Sequence, residues 1–187
     1  FQGEIFTQRK FYEGTYAARV KFSDSPSSGT DGDNIVQTFF TITPLDRDLD
    51  LNYSECDFEY LPNGGWGDPQ TSMYETTWET YCNDPWIAVR DYSLQYQSFA
   101  GWHDLVLTVK DGHAKYYIDG TLVADHTDEN YPEGPMSINF NQWFINGGVI
   151  PDLTEIRTYE QDIDWVYYVE DTAMTTDQVK TAVEDYR

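Results

Sequence analysis

Basic residues are scarce in this chain of 187 residues. Eleven lysines and arginines stand against 33 aspartates and glutamates, which gives a formal net charge of −22 at pH 7. Such a field repels the nucleic-acid backbone and anionic membrane surfaces at long range. It also disfavours sulfated and uronic-acid polymers, although a few local arginines could overcome the repulsion within one cleft. We therefore expect no nucleic-acid or membrane partner and a neutral substrate.

Long apolar runs and metal-binding cysteine motifs are also missing. No stretch of about 18 apolar residues occurs, so no segment is predicted to cross a membrane. The two cysteines, Cys56 and Cys82, form no CxxC pair and have no histidine within a few residues. One disulfide or two free thiols are both compatible with this pattern.

Aromatic residues are abundant, with 15 Tyr, 10 Phe and 6 Trp, and they favour β-structure or stacking surfaces. Residues 4–22 alternate loosely around Gly14 and predict a hairpin. Further predicted strands cover residues 35–42, 53–61, 72–81, 102–109, 114–118, 121–125, 136–144 and 162–169. Asp111-Gly112 and Asp119-Gly120 are signals for tight hairpin turns.

Only the tail has a helical pattern, with Thr176 as the expected N-cap. Short strands with frequent turn signals and one terminal helix predict an all-β fold, a two-sheet antiparallel sandwich with a short C-terminal helix. No linker or repeat interrupts the chain, so residues 1–187 are expected to form a single domain.

The segment Glu55-Cys56-Asp57-Phe58-Glu59 carries the strongest chemical signal. Strand periodicity sends Glu55, Asp57 and Glu59 to one face, and the two residues between them to the other. Three like charges side by side repel one another, so a purely structural strand would rarely carry them. A solvated outer face is the alternative interpretation.

Retaining glycoside hydrolysis needs a nucleophile and a general acid about 5 to 5.5 Å apart. The Cα atoms of Glu55 and Glu59 would be about 13 Å apart along a strand, and two inclined side chains can remove roughly half of that distance. A carboxyl group between them would help to keep one glutamate protonated near neutral pH.

The motif ECDFE resembles the E-x-D-x-E strand of family-16 glycoside hydrolases, which include laminarinases and lichenases. The similarity extends over nearly the whole chain: GEIFTQRKFYEGTYAARVKF, FFTITP, GWHDLVL, KYYIDG, MSINFNQW and DIDWVYY all resemble family segments. The resemblance implies a concanavalin A-like β-jelly-roll sandwich with a concave glycan cleft.

The resemblance also implies roles for individual residues. Glu55 corresponds to the nucleophile, Asp57 to an assisting acid and Glu59 to the acid/base. The residues expected to bind substrate are Glu4, Phe40, Tyr53, Trp78, Asn141 and Trp143. Trp102 and Trp165, which lie in alternating strands, are expected to pack in the core.

The family usually has several strands before the segment that contains Glu4, so we expect this chain to lack the family's N-terminal strands. Family members often bind one structural calcium through an aspartate near the position of Asp164, whereas no other cofactor is required. The resemblance further implies a secreted, extracellular protein that acts on a polysaccharide, and we expect a monomer.

The sequence therefore predicts an endo-acting, retaining glycosidase that cleaves a neutral β-1,3 or mixed β-1,3/1,4-glucan. A transglycosylase of the same family differs only in whether a sugar hydroxyl or water intercepts the intermediate. Two alternatives without catalysis are a lectin-like glycan-binding module and a structural surface domain with a solubilising acidic face.

Strand parity also makes a prediction about the thiols. Cys56 is expected to point to the packed face, away from the three acids. Cys82 lies at the end of a strand, where turn residues begin, so the pattern favours two unpaired thiols and leaves a disulfide open.

Overall fold

The computed structural model describes residues 1–145, 148–151 and 154–187. Its strands are β1 (Gly3–Phe6), β2 (Gly14–Phe22), β3 (Ile35–Ile42), β4 (Glu55–Leu61), β5 (Ser72–Asn83), β6 (Trp86–Gln95), β7 (Gly101–Lys110), β8 (His113–Ile118), β9 (Thr121–His126), β10 (Ser137–Phe144) and β11 (Asp162–Glu170). A 3₁₀ turn (Asp128–Asn130) follows β9, and an α-helix, α1 (Thr176–Tyr186), follows β11.

The strands form two sheets that pack face to face. The first sheet has the order β1-β10-β3-β4-β5-β6 and the second has the order β11-β2-β7-β8-β9, with antiparallel pairing throughout. Their inner faces enclose a core rich in aromatic rings, which includes Phe39 and Phe58 from the first sheet and Tyr16 and Tyr116 from the second. The predicted two-sheet antiparallel sandwich with a C-terminal helix is confirmed.

The two Asp-Gly pairs make the turns that the sequence predicts. The φ angles are +54° at Asp111 and +79° at Gly112, and +50° at Asp119 and +83° at Gly120. Positive φ at both central residues is required by the two-residue hairpin turn whose twist matches that of the flanking strands. Strands β7, β8 and β9 therefore form a meander at one side of the second sheet.

The predicted hairpin over residues 4–22 is wrong. Strand β1 pairs with β10 in the first sheet, whereas β2 lies between β7 and β11 in the second. Because both edges of β2 already have neighbours, no edge is left for β1. Local alternation around Gly14 carries no information about which sheet each half joins.

The sequence pattern also misses β6. This strand is the outer edge of the first sheet and pairs with β5, which extends to Asn83 and has a β-bulge between Trp78 and Thr80. An edge strand buries little of either face, so its alternation of apolar and polar residues is weak. The β-rich run after Asp84-Pro85 is nevertheless a signal that could have identified it.

Helix α1 is capped by Thr175, one residue before the expected Thr176. The Thr175 hydroxyl accepts a hydrogen bond from the Gln178 backbone N–H, and the Gln178 side chain accepts one from the Thr175 N–H. Val179 and Val183 pack against Ala17 and Val106 on the outer face of the second sheet. Among the described residues, no helix has the length and apolar character needed to cross a membrane.

Both cysteines are buried and unpaired. Cys56 lies on the inner face opposite Thr77, and Cys82 lies five residues further along β5, opposite Ile87. Five residues of strand span about 16 Å, well beyond the roughly 7 Å between Cα atoms that a disulfide allows. The structure therefore agrees with two free thiols.

The two tryptophans expected in the core differ in how far they are buried. Trp165 packs beside α1 on the outer face of the second sheet, where it is partly buried. Trp102 is 41% exposed on that same outer face, with the Arg19 guanidinium 5.6 Å from the centroid of its ring. The core prediction for Trp102 is wrong because the helix does not cover this end of β7.

A buried carboxyl group, Glu75, lies on β5 opposite Phe58 of β4. The residue is fully buried, and neither of its carboxyl oxygens has a hydrogen-bond partner in the described part of the chain. Burial disfavours the charged form and raises the pKa of Glu75 to about 8. The fold therefore binds a proton at this position that the unfolded chain releases at a much lower pH.

We expect Glu75 to make the protein less stable as the pH rises. Its folded-state pKa exceeds the unfolded value, so between about pH 4.5 and 8 the folded state binds more protons than the unfolded state. The free energy of unfolding should then fall with pH in this window, by at most about 1.4 kcal/mol per pH unit for one group. Thermal unfolding at pH 5 to 8 should show a flatter profile for Glu75→Gln than for the parent protein.

Glu184→Gln is the matched control, because Glu184 is exposed on α1. It should leave the pH dependence of the melting temperature unchanged. An equal slope in the parent protein and Glu75→Gln would show that Glu75 is not protonated in the fold.

Candidate active site

Three carboxyl groups lie in one row on β4. The residues between them, Cys56 and Phe58, are buried against the second sheet, so Glu55, Asp57 and Glu59 point to the outer face of the first sheet. We call this outer face the active-site face. Two intervening apolar side chains thus fix the orientation of three acids through the two-residue period of a strand.

Each of the three acids lies in a row of residues that are paired across the neighbouring strands of the first sheet. The row of Glu55 contains Ile42 on β3, Trp78 on β5 and Arg90 on β6. The row of Asp57 contains Phe40, Thr76 and Tyr92, in the same order of strands. The row of Glu59 contains Glu4, Asn141, Thr38, Tyr74 and Leu94, from β1 to β6.

Glu55 is the acid with the most donors. The hydroxyl of Tyr53 donates a hydrogen bond to its Oε2, and the carboxyl of Asp57 makes a second hydrogen bond. Burial raises the pKa of Glu55 to about 7, whereas both hydrogen bonds lower it. Donors directed at this carboxylate therefore favour its ionised form, which is the form that a nucleophile needs.

Asp57 is the most enclosed of the three acids. Its Oδ2 accepts a hydrogen bond from the indole N–H of Trp78 at 3.0 Å. Burial, together with the charges of Glu55 and Glu59, raises the pKa of Asp57 well above its ordinary value. The shift favours the protonated form of Asp57, which is the form that can donate a hydrogen bond to Glu55.

Glu59 keeps its proton for a different reason. Burial, followed by the charge of Glu55, raises the pKa of Glu59 to about 8, and the Arg90 guanidinium opposes the shift. No hydrogen bond contributes to this shift. The arrangement therefore provides a protonated carboxyl and an ionisable carboxyl on one strand, as acid and nucleophilic catalysis require.

Arg90 is placed by aromatic rings. Its guanidinium carbon lies 4.5 Å from the centroid of the Trp78 ring and 5.1 Å from that of Tyr92. This stacking holds a cation beside the carboxyl row. Arg90 and Tyr92 belong to β6, so the sequence pattern that missed this strand also missed these two residues of the active-site face.

The residues expected to bind substrate lie on this face, except that Tyr53 is buried beneath it. Glu4, Asn141 and Phe40 occupy the rows described above, and the Asn141 Oδ1 accepts a hydrogen bond from the Thr38 hydroxyl at 2.7 Å. Trp78 contacts Asp57 directly. Tyr53 is only 1% exposed, so it lies behind Glu55 and supports it instead of lining the surface.

Trp143 marks the far end of the active-site face, beyond Glu59. It lies opposite Val36 on β3, and its ring centroid is 5.7 Å from that of Trp66 in the loop after β4. A cavity of about 520 Å³ adjoins Trp143. The two indole rings thus form an aromatic pair at this end.

The residue expected to bind calcium, Asp164, is paired with arginines. The Asp164 carboxylate accepts a hydrogen bond from Arg187 at 2.6 Å and lies 4.0 Å from Arg19. No group of three histidine, cysteine, aspartate or glutamate side chains gathers at a metal-binding distance in the described ranges. Two guanidinium groups would have to move before Asp164 could bind Ca²⁺, and calcium binding through this residue stays a prediction.

Comparison with known proteins identifies relatives of this chain. The chain is 29% identical over 143 residues to the endo-1,3-1,4-beta-glycanase ExoK of Rhizobium meliloti, a match that covers 75% of this chain and 46% of the relative. The chain therefore spans less than half the length of this relative.

Two solved structures share the jelly-roll fold. The Bacillus licheniformis beta-glucanase superposes with a TM-score of 0.61 at 23% identity, covering 89% of this chain and 71% of that chain. The Crh5 transglycosylase superposes with a TM-score of 0.61 at 17% identity, covering 90% and 68%. The model of the glycosyl hydrolases family 16 matches residues 2–167. Because that match covers most of the sequence, the chain belongs to glycoside hydrolase family 16.

Proposed function

We propose that this chain is a retaining, endo-acting glycosidase that cleaves a neutral β-1,3 or mixed β-1,3/1,4-glucan. Glu55 is the nucleophile, Glu59 is the acid/base and Asp57 is the assisting acid. The observation that carries the proposal is the unequal support of the two glutamates: Glu55 accepts hydrogen bonds from Tyr53 and Asp57, whereas burial without such bonds keeps Glu59 protonated.

In the first step the Glu55 carboxylate attacks the anomeric carbon and forms a glycosyl ester. The bond from that carbon to the glycosidic oxygen breaks, and Glu59 gives its proton to the departing oxygen. The Asp57 proton and the Tyr53 hydroxyl lie on the Glu55 carboxylate before the reaction. These two hydrogen bonds position the Glu55 carboxylate and lower its nucleophilicity.

In the second step the charges of the two glutamates are exchanged. Glu55 carries no charge as an ester, so its charge no longer raises the pKa of Glu59, which burial alone then keeps above its ordinary value. Glu59, now ionised, takes a proton from water as the water oxygen attacks the anomeric carbon, and the bond from that carbon to Glu55 breaks, which releases the Glu55 carboxylate. The same electrostatic coupling thus makes Glu59 an acid in one step and a base in the next.

Three observations support a neutral β-glucan as the substrate. The net charge of −22 repels polyanions at long range. Aromatic rings such as Trp78, Trp143 and Trp66 suit the apolar faces of sugar rings. The relatives are named as β-glycanase and β-glucanase. A polymer of this kind lies outside the cell, which supports a secreted protein.

Transglycosylation is the nearest alternative, supported by the similarity to a transglycosylase. It uses the same glycosyl ester, which a sugar hydroxyl then intercepts in place of water. A lectin-like module is less well supported, because a binding protein needs neither a protonated nor a nucleophilic carboxyl group, and burying three of them costs stability.

The test of the proposed function is incubation with a panel of polymers: laminarin, mixed-linkage β-1,3/1,4-glucan, cellulose, xylan and a sulfated galactan. We expect reducing ends to appear only with the first two, and viscosity to fall early because cleavage is internal. NMR should show the β-anomer as the first product. An α-anomer would contradict Glu55 as a nucleophile, and longer products without new reducing ends would show transfer.

Two variants separate the roles of the glutamates. Glu55→Gln should lower turnover of every substrate by at least about 10³-fold, because no ester can form. Glu59→Gln should lower turnover of polymers strongly but spare aryl β-glucosides with good leaving groups, which depart without a proton. Equal losses on both substrate types for both variants would contradict this division.

The pH profile of kcat/KM should respond to the neighbours of each glutamate. Tyr53→Phe removes a hydrogen bond that lowers the pKa of Glu55, so the acidic limb should move to higher pH. Arg90→Met removes a cation that lowers the pKa of Glu59, so the alkaline limb should move to higher pH. Arg90→Lys keeps the charge and should stay near the parent profile.

These shifts are measured from initial rates between pH 4 and 10, with the folded fraction checked at each pH. If Tyr53→Phe moved only the alkaline limb, or Arg90→Met only the acidic limb, the assignment of the two glutamates would be reversed.

A further inference from the structure

The edge strand β6 places a second set of aromatic residues on the active-site face. Trp86, Arg90 and Tyr92 point to this face, because Arg90 lies opposite Trp78 and every second residue shares its direction. Trp86 is 61% exposed, and Tyr92 is 51% exposed. Nothing in the catalytic steps uses Trp86.

Other rings hold the Trp86 side chain in place. Its ring centroid lies 6.2 Å from that of Trp78 and 6.0 Å from that of Tyr81. Trp78 and Tyr81 also contact each other, with centroids 5.8 Å apart. An exposed indole supported on two sides is already ordered, so binding a flat ligand costs little side-chain entropy.

This aromatic set is continuous with the catalytic centre. The ring of Tyr81 contacts that of Tyr53 at 5.5 Å between centroids, and Tyr53 donates its hydroxyl proton to Glu55. The indole of Trp78 reaches Asp57 at 3.0 Å. The exposed face of Trp86 is therefore an extension of the active-site face and not a separate patch.

The distance from Glu55 sets which ligand could use Trp86. Two strand spacings and four residues along β6 separate the two positions, which places their Cα atoms roughly 16 Å apart. A single sugar ring at the carboxyl row cannot reach Trp86. A longer glycan chain can, and the flat indole suits the apolar face of a neutral pyranose ring.

We propose that Trp86 is an outer glycan-binding subsite, which stacks on a neutral sugar ring of the polysaccharide several units away from the bond that is cleaved. The inference rests on the proposed function for the identity of the ligand, since it takes the chain that occupies the carboxyl row to be the one that reaches Trp86. Its role is to hold long chains, so it selects polymers over short oligosaccharides.

The kinetic test compares short and long glucan substrates in Trp86→Ala, Trp86→Leu and Trp86→Phe. For Trp86→Ala and Trp86→Leu, kcat/KM for long chains should fall about 2- to 10-fold, as expected for one aromatic contact, while short substrates are unaffected. Trp86→Phe should keep most of the activity. Trp102→Ala, an exposed tryptophan on the opposite sheet, is the matched control and should change neither.

Affinity electrophoresis separates this inference from the proposed hydrolysis. Glu55→Gln protein is run through native gels that contain laminarin or mixed-linkage β-glucan, alone and combined with Trp86→Ala. Retardation that is weakened on adding Trp86→Ala supports the subsite, even if the parent protein cleaves none of the polymers.

Two results would overturn the proposal. One is equal retardation with and without Trp86→Ala, or no retardation in either glucan. The other is an equal loss of kcat/KM on short and long substrates, because that would place Trp86 among residues that support the catalytic centre. Thermal unfolding of each variant confirms that the comparison is made between folded proteins.

Discussion

The packing of Cys56 and Phe58 between the two sheets is the constraint on which the active site depends. These side chains are buried in the shared core. The two-residue period of the strand then directs Glu55, Asp57 and Glu59 to the opposite face of the sheet. A register shift of one residue would bury three carboxyl groups in the core and expose Phe58. The hydrophobic effect thus sets the direction of all three carboxyl groups.

The active-site face controls its charge mainly with neutral donors. Tyr53 donates a hydrogen bond to Glu55 and the Trp78 indole donates one to Asp57, whereas the Arg90 guanidinium is stacked beside the row. Neutral donors stabilise one protonation state without binding a carboxylate as an ion pair would. This leaves Glu59 able to gain and lose a proton, as its proposed acid/base role requires.

The sequence was sufficient for the fold class and for the carboxyl row, because both depend on local alternation and on a distinctive motif. It was insufficient where the structure depends on which strands pair with one another in the folded protein. The alternation around Gly14 could not show that β1 and β2 join different sheets. Strand β6 was missed because an edge strand alternates weakly, and with it the placement of Arg90 and Tyr92 on the active-site face. The wrong core prediction for Trp102 has a related cause, because alternation along a strand does not show which of its two faces is covered.

Helix α1 lies on the outer face of the second sheet, on the opposite side of the sandwich from the carboxyl row. Its outward residues, such as Glu184, are exposed and distant from every residue of the active-site face. A linker attached there would leave the carboxyl row facing away from the support. The protein could therefore be immobilised on a resin or sensor surface through α1 and still present its whole active-site face to an insoluble polysaccharide.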